Sequence, residues 1–268
     1  MSATELFAEA ERAFFRDAVA VVAGGTSGVG LAAAQRFAAA GARRILLIGR
    51  NRERGASVVS RFEAAHPEVE VVFESANLLE ADDALRVVAS AIDRWGAIDI
   101  LVNSVNGSHG PRLLHRTDIH DLFPQITSQL MGVVHMCRAA VPSMQERGTG
   151  VIVNIASDAA KSPTPGEAAI GAAMAGIVMF TRTMAMELKR NGIRANVVTP
   201  SIIEGTGGYE RVMQDEFTAK LFGKAIPLAH LGVVNAEDMA ELIAFLCSPR
   251  SGKLTGQAIS LNGGISAH

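Results

Sequence analysis

Near the start of the chain, Gly24-Gly25-Thr26-Ser27-Gly28-Val29-Gly30 follows a short apolar run and precedes a helical pattern at 31–40. Glycines at such a junction remove the side chains that would keep a phosphate from backbone N–H groups. The helix start behind them directs its positive end at the same place. Strand, glycine turn and helix in this order suit the pyrophosphate of a dinucleotide; a merely tight turn is the plainer alternative. About 20 residues further on, a carboxylate usually binds the ribose hydroxyls of NAD. There the chain reads Gly49-Arg50-Asn51-Arg52. With no acid to repel a 2′-phosphate, Arg50 can pair with it while Thr26 or Ser27 adds a hydroxyl, so NADP(H) is preferred over NAD(H). A solvated arginine at a helix start is the alternative.

That loop needs a strand to feed it and a helix to take it up. From residue 18 onward, apolar runs at 18–23, 44–49, 69–74, 98–103, 151–156, 193–199 and 258–261 alternate with longer helical patterns. Seven strands separated by helices imply an α/β single domain over 18–268, with a doubly wound seven-stranded parallel sheet. The strands read as continuous Val, Ile and Leu, so helices are expected on both faces, joined by right-handed crossovers. Residues 201–231 follow the sixth strand, glycine-bearing at first and amphipathic afterwards, and make a candidate lid.

The chain has 268 residues, 49% hydrophobic and 19% charged, which fits one folded domain and excludes disorder. A formal charge of −2, with acids and bases interspersed, leaves no footprint for nucleic acid or a membrane surface, so the expected partner is a small molecule. Cys137 and Cys247 lie in apolar helical patterns without metal or redox spacing. They suit reduced core thiols in a cytoplasmic protein, and no metal is expected. No uninterrupted apolar run approaches the roughly 18 residues of a membrane span. Residues 1–17 carry acids and arginines instead of a signal-peptide core and read as an added N-terminal helix.

The spacing Gly-x-x-x-Gly-x-Gly at Gly24, Gly28 and Gly30 resembles the short-chain dehydrogenase/reductase family, and the likeness runs from residue 17 to residue 264. The resemblance implies a Rossmann fold and nicotinamide-dependent oxidoreductase chemistry. It places Asn77 and Leu78 against adenine and aligns Asn103-Ser104-Val105-Asn106 with the family's Asn-Asn-Ala-Gly, which assigns cofactor contacts to Asn103 and Val105. It maps the active-site serine to Ser157. It gives the nicotinamide to Thr199-Pro200-Ser201-Ile202-Ile203, through Pro200 and Ile203, with Ser201 in place of a glycine. It further implies a homodimer or homotetramer built on the helices at 117–144 and 167–189.

The family's proton chemistry uses a tyrosine, a lysine four residues later and a helix asparagine. Thirteen residues after Ser157 this chain has Ile170, and four further on Met174; the asparagine position is Gln129. No shift of alignment restores the pair, because the lone tyrosine, Tyr209, has Met213 four residues later. Ile170 and Met174 share one helix face and are expected to line the substrate pocket as apolar surface. Neither holds a proton nor shifts a neighbour's pKa by its charge, and losing a positioned acid typically slows such a reaction ~10²- to 10⁴-fold.

Candidate substitutes are Tyr209 in the lid and Lys161, four residues after Ser157, which is otherwise an exposed loop lysine. His109 and His115 follow the fourth strand. Asp158 and Glu167 flank the cleft, although Glu167 fits equally well as a first-turn helix acid. Three readings stand: an NADP(H)-dependent oxidoreductase acting on a rather apolar small molecule through a non-standard proton donor; a non-catalytic NADP- or metabolite-binding relative serving as sensor or partner subunit; or a non-redox lyase or dehydratase in the same cavity.

Overall fold

Successive residues of a strand face opposite sides of its sheet, so a strand that is apolar throughout is stable only where both sides are covered. The computed structural model, which describes residues 3–107 and 109–267 and the side chains of the first helix from residue 9 on, meets that condition. The first half runs α1 (Ala3–Asp17), β1 (Val19–Ala23), α2 (Gly28–Ala39), β2 (Arg44–Gly49), α3 (Arg52–Ala65), β3 (Glu70–Ser75), α4 (Ala81–Trp95) and β4 (Ile100–Asn103). The second half runs α5 (Ile119–Arg147), β5 (Gly150–Ile155), α6 (Ala168–Leu188), β6 (Ile193–Pro200), α7 (Gly207–Val212), α8 (Glu216–Ala225), α9 (Ala236–Cys247) and β7 (Ala258–Leu261).

Among the described residues the strands form one parallel sheet in the order β3-β2-β1-β4-β5-β6-β7. Every expected strand is present, its ends displaced by at most two residues. Val21 and Ala23 enter one core with residues of α4, α5 and α6, whereas Ala20 and Val22 enter the other with residues of α1, α2, α3 and α9. Ala23 pairs with Ile48 on one side and Asn103 on the other. The winding therefore reverses between β1 and β4, and a crevice opens at their carboxyl ends.

Two helices bear on the expectations above. Phe15 of α1 is fully buried and stacks on Phe37 of α2 with ring centroids 5.4 Å apart, so α1 contributes to the core. Met1 and Ser2 of the expected extension lie outside the described residues. The stretch Ala168–Asn191 is long and apolar enough to cross a membrane by length and composition, yet half of its apolar window is buried inside the fold, where α6 packs on α5 and β6. Cys137 and Cys247 are buried, and burial pushes both thiols up to about 12, which keeps them protonated and inert.

Removing the Phe15 ring leaves a cavity between α1 and α2. Phe15→Ala is expected to lower unfolding stability by about 3 kcal/mol, read as a lower urea midpoint at unchanged slope. A change under about 1 kcal/mol would show that α1 is dispensable to the core.

Candidate functional site

The glycine loop is shaped by contacts that exclude a Cβ. Gly24 has φ +77°, and a Cβ there would stand 2.1 Å from the carbonyl oxygen of Ser104. One on Gly30 would stand 2.4 Å from the carbonyl oxygen of Gly24. The first turn of α2 therefore sits directly on the loop, and its unpaired amides open onto the crevice. Ser27, the residue at the helix cap, makes no side-chain capping bond, so its hydroxyl is unspent.

A groove of about 500 Å³ starts at this turn. Gly24, Thr26, Ser27, Gly28 and Val29 form one end, Arg50, Asn51 and Arg54 flank it, and Asn77, Leu78, Ser104 and Val105 continue the wall towards Pro200 and Ile203. No carboxylate is among its lining residues. Helix amides, a free hydroxyl and the guanidinium groups of Arg50, Arg54 and Arg211 fit the phosphates of a nicotinamide dinucleotide. Gly30 does not line the groove; it serves by letting α2 pack against the loop.

Asn103 is corrected by the structure. Its side chain is fully buried, and its Nδ2 donates to Asn154 Oδ1 at 2.8 Å and to Cys137 Sγ at 3.3 Å. The pleat of β4 turns it into the α5–α6 core, and Ser104 forms the groove wall instead. Arg54 was missed. The available signal was Asn51, whose side chain accepts from Arg54 N at 2.8 Å as the cap of α3 and so places Arg54 one turn from Arg50.

A second cavity, about 620 Å³, lies beyond the carboxyl ends of β5 and β6 beside α7 and α8. It shares Ala156, Pro200, Ile203, Thr206 and Arg211 with the groove, so the two form one continuous depression. Ser157, Gln129, Ile170, Met174, Tyr209 and Glu167 all line it, as does His109. Ser157 Oγ accepts from Ala159 N at 3.2 Å, which leaves its proton available to a ligand oxygen. Gln129 Oε1 accepts from Gly107 N at 2.9 Å, which leaves its Nε2 donors unspent. Ile170 and Met174 are buried and form an apolar wall. Arg112 and Arg211, also in the lining, carried no recognisable signal, because only the folding back of their loops brings them to the cleft.

Lys161 is a second correction. Its ammonium lies 3.6 Å from Asp158 Oδ1, donates to the Ser260 hydroxyl and does not line the cleft. Asp158 is itself buried and accepts from Ser260, Asn262 and Ser266. A buried carboxylate demands such partners, and Lys161 is drawn into the set that ties this turn to β7 and the segment after it. His115, exposed in a short 3₁₀ turn at 114–116, is likewise outside the cleft.

Glu167 behaves differently from Asp158. It precedes the first residue of α6, makes no capping bond with its side chain, and forms no ion pair among the described residues. Arg112 N donates to Gly166 O at 2.7 Å, and Phe217 of α8 lies so close to Gly166 that a Cβ there would be 2.6 Å from its ring. The Glu167 carboxyl is pushed from 4.5 up to about 7, chiefly by burial, with a hydrogen bond to the Thr164 side chain pulling the other way.

The folded state therefore keeps a proton on Glu167 that the unfolded chain releases at a lower pH. The stabilisation from that proton is complete below pH 4.5 and is lost as pH rises through about 7. Full burial would make the loss about 3 kcal/mol, and the residue's partial exposure reduces it to about 2 kcal/mol. Glu167→Gln is expected to gain about that much over the unmodified chain in urea unfolding at pH 8, with the advantage vanishing at pH 4.5. An advantage independent of pH would remove the raised pKa.

A family model described as enoyl-(acyl carrier protein) reductase matches residues 23–266. The chain is 32% identical over 248 residues to the 3-oxoacyl-(acyl-carrier-protein) reductase of Synechocystis, covering 92% of this chain and 96% of that protein. It is 30% identical over 254 residues to the 2-(R)-hydroxypropyl-CoM dehydrogenase of Xanthobacter autotrophicus, covering 93% and 98%. Among solved structures it is similar to an NADPH-bound short-chain oxidoreductase from Pseudomonas aeruginosa containing an atypical catalytic centre. The identity there is 30% and the TM-score 0.84, over 95% of this chain and 98% of that one. With the family model over most of the chain, these relatives and the seven-stranded parallel sheet, the chain belongs to the short-chain dehydrogenase/reductase family of nicotinamide-dependent oxidoreductases.

Proposed function

We propose that this protein is an NADP(H)-dependent oxidoreductase for a rather apolar small molecule, with a proton donor other than the family's tyrosine–lysine pair. The observation that carries this reading is the junction of the two cavities at Ala156, Pro200 and Ile203. It sets a groove lined by Arg50 and Arg54, without a carboxylate, end to end with a cleft walled by Ile170 and Met174. The similar Pseudomonas aeruginosa oxidoreductase, NADPH-bound and with an atypical centre, supports both parts.

In this reading the α2 amide end and Ser27 hold the pyrophosphate, and Arg50 with Arg54 holds the 2′-phosphate. Nicotinamide, when bound, supplies or accepts hydride. Ser157 Oγ and Gln129 Nε2 donate to the substrate oxygen and fix its orientation, while Ile170 and Met174 exclude water and favour an apolar substituent. Residues 201–231 act as a lid over the domain formed by 18–268, with Tyr209 and Arg211 on its inner side. We also infer self-association through α5 and α6, which expose Phe123, Met179 and Met186, and a cytoplasmic location. A non-catalytic NADP-binding sensor is the second reading, favoured by the apolar face where the titratable pair would stand. A non-redox lyase or dehydratase has no residue in the cleft that favours it.

NADPH titration followed by nicotinamide fluorescence, with absorbance assays on carbonyl and enone panels, separates these readings. Binding with turnover supports the first, binding without turnover the second, and absence of binding removes both. Arg50→Ala is expected to weaken NADPH about 10- to 100-fold and NADH little; an equal effect on both removes the phosphate assignment. Ile170→Tyr combined with Met174→Lys is expected to raise carbonyl reduction by about 10²-fold. A folded, NADPH-binding double variant with unchanged activity would contradict the placement of the site.

A further inference from the structure

We propose that Glu167 is the proton donor of this site, its carboxyl giving a proton to a carbonyl oxygen of the substrate and recovering it in the reverse oxidation. The inference deepens the cofactor reading above and rests on it. In the reduction, the carbonyl π bond breaks and a C–H bond forms with the hydride of the reduced nicotinamide, which leaves oxidised. An O–H bond forms with the Glu167 proton, and the resulting carboxylate takes a proton from solvent through the cleft mouth.

The geometry comes from one helix start. Glu167, Ile170 and Met174 are spaced i, i+3, i+7, so they lie along one face, and all three line the cleft with Ser157 and Gln129. The chain has thus lost the titratable groups at two positions of this face and carries one a single turn nearer the helix start. That carboxyl caps nothing, no ion pair among the described residues holds it, and its hydrogen bond is with the Thr164 side chain at the same turn. Burial then sets it near 7, where acid and base forms are both populated at neutral pH.

Other cleft groups are less suited. Asp215 caps α8 by accepting from Thr218 N and Oγ1, each at 2.8 Å, and these bonds hold it below the usual carboxylate range. Asp121 and His109 are exposed. Tyr209 enters from α7 and is the competitor that the experiment must exclude. The main cause of the Glu167 shift is burial, so none of these charges is needed to explain it.

The test combines a readout independent of turnover with one that depends on it. Carboxyl-¹³C glutamate labelling gives a resonance for Glu167, assigned by its loss in Glu167→Gln, and its titration midpoint is expected near pH 7. With benzil, an apolar diketone, and NADPH, Glu167→Gln is expected to lower kcat/KM by about 10²-fold or more, with NADPH affinity unchanged. Reduction by the unmodified chain is expected to fall above pH 7, and oxidation of benzoin to rise through the same pH. A midpoint near the ordinary 4.5, undiminished reduction in Glu167→Gln, or a loss confined to Tyr209→Phe overturns the proposal. An unmodified chain that binds NADPH and leaves benzil untouched also overturns it. Failure to bind NADPH instead overturns the cofactor reading, and this inference falls with it.

Discussion

The approach of bare backbone at Gly24 and Gly30 is the constraint on which the rest depends. Ser104 O presses against Gly24 Cα from the end of β4, and Gly24 O presses against Gly30 from the loop, so neither position has room for a methyl group. These contacts seat the α2 amino end in the crevice where the sheet winding reverses, and they bring the ends of β1 and β4 to one place. With that corner in position, the loops after β2, β3, β5 and β6 open in turn along the same edge. The groove is thus a consequence of parallel topology, and its charge comes from what the loops carry.

Asp158 and Glu167, nine residues apart, illustrate two fates of an acid near a cleft. Asp158 is surrounded by the donors of Ser260, Asn262, Ser266 and Lys161, a set that fastens the turn after β5 to the carboxyl end of the chain. Its charge is spoken for, which makes it suited to holding shape. Glu167 has the desolvation with a hydrogen bond to the Thr164 side chain but no ion pair among the described residues, and such a group holds its proton more readily. Both acids belong to the same short segment between β5 and α6, and what the rest of the chain brings to each decides the difference.

Much of the fold was legible because buried parallel strands are written as unbroken apolar runs, and seven such runs became seven strands. The groove was legible as a place too, since Thr26, Ser27, Gly28, Val29, Arg50, Asn77, Leu78, Val105, Pro200 and Ile203 all border it. Asn103 and Lys161 were misplaced for a common reason. Spacing puts a residue near a site, but the pleat of a strand or the demand of a buried acid decides which way its side chain goes. Arg112 and Arg211 bear on the cleft through chain folding that no local pattern encodes.

Sequence alone determined the alternation of strands and helices, the glycine turn and the absence of any tyrosine–lysine pair at the family spacing. These are properties of residue order and residue type, which need no partner across space. Tertiary structure alone decided that Asp158 is bound by donors from the end of the chain while Glu167 is desolvated with no ion pair among the described residues. Burial is a property of how segments meet: Arg112 and Phe217 reach Gly166, the residue before Glu167, only through the packing of the sheet, α6 and α8.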